Sequence, residues 1–262
     1  MLLALYSITT VFFLFGLKHK NSNKILKEHQ VLYLHTLINA CIIAYTTHNM
    51  IYLYRSDIIH CLALAMLLTY AICSDKNIPK TITLFFFFFT ALIVLLGTIL
   101  PDHNLLSDLN EGKARTIFTH IFLAFIGYSS FIILSIASFL YLWENKILKS
   151  RQGLSKLKFF PNLVQLDQLQ KRCLYIGIIV FTIAIGMGKM NQENFGLENQ
   201  WGSKEVLALM IWSLYLFLSI LRFFSNIQKH SIALLNLIGL ILILGSFFFL
   251  RFSNTLSAQG GL

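Results

Sequence analysis

The chain has 262 residues, 56% hydrophobic and 12% charged, with a formal charge of +10 and a mean hydropathy of +0.70. That balance excludes an ordinary soluble domain, in which about a quarter of the residues are charged. The four cysteines, at positions 41, 61, 73 and 173, form no C-x-x-C or C-x-x-C-H motif, which argues against covalent haem attachment and thioredoxin-like exchange and leaves them as small packing residues.

The first apolar run, 2 to 17, lacks a basic leading segment, and Lys18, Lys20, Lys24 and Lys27 all follow it. It reads as a retained helix that starts outside, not as a secretory signal. Further runs at 31 to 54, 58 to 73, 81 to 100, 117 to 143, 173 to 188, 206 to 224 and 232 to 250 give eight candidate spans, each able to cross most of a hydrocarbon slab about 30 Å thick. The expected fold is an all-α, polytopic transmembrane helix bundle forming a single integral membrane domain over 1–262.

Alternating crossings place fifteen of the 21 basic residues on one side of the membrane and six on the other. The richer side is cytoplasmic by the positive-inside rule, so both termini are expected to be extracytoplasmic in a bacterial inner membrane. The positive charge is then a topology signal facing anionic headgroups and needs no nucleic acid. The 144 to 172 loop mixes bases with Leu154, Leu157, Phe159 and Phe160, the pattern of an amphipathic segment on the inner surface. The prolines, at 79, 101 and 161, stand at loop edges, so the spans are expected to run unbroken.

Two extracytoplasmic loops stand out. The first, 101 to 115, is polar and leads to His120; the second, 189 to 204, carries Phe195 and Trp201 and ends in Ser203, an N-cap residue for a helix opening with Lys204 and Glu205. His48, His60, His103 and His120 project to this outer side, whereas His35 lies toward the cytoplasmic end of its span. Imidazoles beside aromatic surface suit a haem site, with axial nitrogen donors and flat faces for the macrocycle. The same residues also furnish interfacial belts, and His120 has an alternative as a hydrogen-bonded histidine at a helix start. The glycines at 186 to 188 read as a helix end, and no nucleophile, base and orienter set is legible, so no enzymatic activity is expected.

THIFLAFIGYSSFIILSIASFLYLWENKILK, residues 119 to 149, resembles the histidine-led span of the cytochrome c assembly protein family, with His120, Gly127 and Tyr128 fitting its pattern. WGSKEVLALMIW, residues 201 to 212, resembles the tail of the family's tryptophan-rich signature through Trp201, Lys204, Glu205 and Trp212. Gly202 stands where the family has aspartate, the upstream tryptophans are absent, and no histidine follows the last span. The likeness runs from about 31 to 251 and is strongest toward the YpjD-type inner membrane subgroup.

The resemblance implies a protein that binds or presents haem at the extracytoplasmic face during haemoprotein maturation. It makes His120 the axial ligand, with His48, His60 or His103 substituting for the missing second histidine, and His35 a holding point within the membrane. Trp201 and Phe195 would stack on the porphyrin edge, and Lys204 would meet a propionate. Other cytochrome maturation proteins are the implied partners. Two alternatives stay open: a haem-free structural or regulatory membrane partner on the same fold, and a small-molecule transporter using the intramembrane histidines. Trp212 is expected to pack within the bundle.

Overall fold

The computed structural model describes residues 55–73, 86, 90, 111–150, 162–194, 203–224 and 228–259. They are helical almost throughout. We label the helices α1 (Arg55–Cys73), α2 (Glu111–Ser150), α3 (Leu163–Asn194), α4 (Ser203–Phe224) and α5 (Lys229–Gln259). The expected spans at 2 to 17 and 31 to 54 lie outside the described residues, as does nearly all of 81 to 100.

Four of these helices, over Gly112–Ser150, Leu163–Gln192, Lys204–Phe224 and Lys229–Ser246, are long and apolar enough to cross a membrane; Cys61–Cys73 is a shorter apolar helix. Their outward faces carry large apolar side chains in helical register, such as Met210, Phe217, Ile220 and Phe224 on α4 and Ile238, Ile241 and Leu242 on α5. Stripes this long would be a severe liability in water and are what hydrocarbon solvates.

The helices run past the apolar segments that predict them. α2 continues through ENKILKS, made largely of residues with good helix propensity, and α3 begins at Leu163, where Leu166, Leu169 and Gln170 point into the core. The expected 144 to 172 loop is thereby corrected at both ends, with 151 to 161 outside the described residues. Asn162 caps the start of α3 in a capping box: its Oδ1 accepts from the Val164 amide at 3.2 Å, and its own amide donates to Gln165 Oε1 at 3.2 Å.

α2 is the central element, packed on α1, α3 and α5, and its contact with α3 is the most extensive in the fold. Two glycine–phenylalanine pairs at i, i+4 make it close. Gly127 receives Phe181, and Gly177 receives Phe131; a Cβ would come within 2.8 Å of Phe181 Cδ2 in the first case and 2.7 Å of Phe131 Cε1 in the second. Small residues that let backbones approach are the main packing device where lipid removes the hydrophobic drive between helices. Phe131 then stacks on Tyr215 of α4 with ring centres 3.9 Å apart, carrying the core across to a third helix.

Several interior serines are tied locally. The hydroxyls of Ser130, Ser135 and Ser138 donate to the carbonyls four residues earlier. Asn236 Nδ2 donates to Ser138 Oγ at 2.9 Å and fastens α5 to α2. Where α3 begins and α4 ends, Asp167 pairs with Arg222, and Lys229 reaches the same carboxylate at 2.9 Å. Cys61, Cys73 and Cys173 are buried and in no disulfide, consistent with packing residues.

Candidate functional site

At the opposite end of the bundle, the start of α2, the end of α3 and the start of α4 surround a cavity of about 570 Å³. Its size is that of a site for a cofactor or drug-sized molecule. His120 projects into it from the third turn of α2, so the residue is well inside a helix and not at a helix start. Tyr128 lies two turns further along the same face, where its ring meets Phe181 edge-on at 4.8 Å. Both aromatics line the cavity, with Ala124, Ala208 and Leu209 completing an apolar interior.

Polar groups gather toward the helix ends that surround the cavity. Lys189 on α3 and Lys204 on α4 both line it. Gln192 Nε2 donates to Glu205 Oε1 at 3.0 Å, which joins the last turn of α3 to the first turn of α4. Asn191 Nδ2 reaches the Thr116 carbonyl at 3.5 Å, a weaker tie from α3 to α2. Glu205 in the first turn of α4 also suits the helix dipole, as the sequence implies.

The imidazole of His120 has a fixed partner. Its Nδ1 lies 2.8 Å from the carbonyl oxygen of Ala184 on α3. A carbonyl can only accept, so Nδ1 is the donor, and the neutral ring keeps its lone pair on Nε2. That is the form in which a histidine binds a transition metal, with the other ring nitrogen held by a hydrogen bond. Among the described residues, no group of three or more His, Cys, Asp or Glu side chains could hold a metal ion by itself.

Of the residues expected from sequence, His120 and Lys204 come together on the cavity. Trp212 donates from Nε1 to Thr182 Oγ1 at 2.8 Å and packs against the core, as expected for a bundle residue. His60 falls within α1; His35, His48, His103, Phe195 and Trp201 lie outside the described residues. The sequence reading missed Ala184, Lys189, Gln192 and the glycines Gly186 and Gly188, all of which line the cavity. The signal available was a G-x-G pair inside an apolar run, one helical length from a histidine-led span.

The sequence profile of the cytochrome C assembly protein family matches residues 1–257. Protein HemX of Brevibacillus brevis is 29% identical over 130 residues, which cover 48% of this chain and 47% of the relative. The chain thus spans about half the length of that curated relative.

Proposed function

The chain belongs to the cytochrome c assembly protein family, and from that premise we propose that it binds haem in the cavity at His120 and presents it for haemoprotein maturation. The carrying observation is the imidazole of His120, hydrogen-bonded through Nδ1 to Ala184 and lining a largely apolar, aromatic-walled cavity with two lysines. Each feature answers one part of the ligand. His120 Nε2 would hold the iron, Tyr128 and Phe181 would face the macrocycle, and Lys189 and Lys204 would meet the propionates. The iron supplies the redox and ligand-binding chemistry; the residues of this chain bind, orient and shield.

No reaction is assigned to the chain in this reading, because carriage needs only reversible ligation and a guarded cavity. The membrane is the bacterial inner membrane, with the cavity on its extracytoplasmic side, and the partners are membrane or cytochrome maturation proteins that deliver or receive haem. Trp201 and Phe195 would stack on the edge of the same ligand, and His48, His60 or His103 would supply a second nitrogen.

The test is the visible spectrum of the detergent-purified protein, oxidised and reduced, beside His120→Ala. A Soret band with sharp reduced bands that weaken in the variant supports the proposal. A protein that stays colourless after hemin is added points instead to a haem-free membrane partner on the same fold.

A further inference from the structure

His120 rests against a glycine. A Cβ at Gly188 would stand 2.8 Å from His120 Cε1, 3.3 Å from Nδ1 and 3.4 Å from Nε2, so the imidazole lies on the bare backbone of α3. The carbonyl that accepts from Nδ1 belongs to Ala184, four residues earlier, and in helix geometry that carbonyl points along the axis toward the amide of residue 188. The residue best placed to cover the Ala184 oxygen from the side is therefore the one that has no side chain. Gly186 provides the contrast: it lines the same cavity, yet a Cβ there would meet nothing within 4 Å.

We infer that Gly188 and the Ala184 carbonyl form a seat that fixes His120 as the Nδ1–H tautomer and presents Nε2 to the cavity, making Gly188 a positioning residue for the ligand. The seat's consequence for haem rests on the function proposed above; the tautomer does not.

The experiment uses full-length protein labelled with ¹⁵N-histidine in detergent, without haem, with His120→Asn to identify the signal. The seat predicts that His120 carries its hydrogen on Nδ1, that Gly188→Ala moves or abolishes that signal, and that Gly186→Ala leaves it in place. A hydrogen on Nε2 in the native protein overturns the inference, whether or not Gly188→Ala folds. Hemin titration of the native protein and Gly188→Ala gives the second readout, with affinity falling about tenfold or more in the variant. Equal affinity and identical spectra for the native protein and Gly188→Ala also overturn the positioning role. A native protein that takes up no hemin sinks the haem reading alone, and the tautomer still decides the seat.

Discussion

The two ends of the bundle handle polar groups in opposite ways. Where α3 starts and α4 ends, the Arg222 side chain is only 8% exposed and is absorbed by Asp167, whose carbonyl oxygen accepts from Nη2 at 2.9 Å in addition to the carboxylate contact. Lys229 completes a compact ionic cluster. At the cavity end, His120, Lys189, Lys204 and Glu205 line an open volume, with His120 bonded to the Ala184 carbonyl and Glu205 to Gln192. One end uses charge to fasten helices together, and the other arranges polar groups around a cavity. A largely buried charge is retained only with a partner, whereas a histidine and two lysines around a cavity are the signature of a site.

The largest effect is expected from Asp167→Ala. It leaves Arg222 buried without its counter-ion and should cost about 3 kcal/mol, read as a lower melting temperature in detergent, with hemin uptake kept below the new midpoint. Loss of hemin uptake in a protein that remains folded would mean that the two ends are not separable. Gly177→Leu comes next: it forces a side chain into the space of Phe131, should cost about 2 kcal/mol, and should weaken both ends because the α2–α3 contact serves both. Trp212→Phe removes the bond to Thr182 and should cost about 1 kcal/mol in the same melt. Gly186→Leu should hardly move the melting temperature, since its Cβ meets nothing, but should block hemin uptake by filling the cavity. A Gly186→Leu protein that binds hemin like the native one would place the ligand elsewhere.

The all-helical fold was legible because the apolar runs are long, little interrupted and free of proline. The helix ends were less so: propensity and amphipathic spacing carry α2 to Ser150 and start α3 at Leu163, beyond where hydropathy alone stops. For the site, His120 and Lys204 were readable as polar side chains out of place near an apolar segment. The pairing of Gly127 with Phe181 and of Gly177 with Phe131 was not, because it depends on which turns of two helices meet. Gly188 escaped for the same reason. A helical glycine signals its role only when its neighbour across the interface is known, and the nearest atom here is 68 positions away in the chain, on His120. The Gln192–Glu205 bond likewise depends on how the connection between α3 and α4 brings the two helix ends together.

Haem is proposed to be held in the cavity at His120. Optical titration of the full-length protein in detergent with hemin, run in parallel on native protein, His120→Ala and Gly186→Leu, tests this placement most directly. Saturation at a single equivalent with a Soret band is expected in the native protein, with weak and spectrally altered binding in His120→Ala and little uptake in Gly186→Leu. Three identical titration curves and spectra would contradict it.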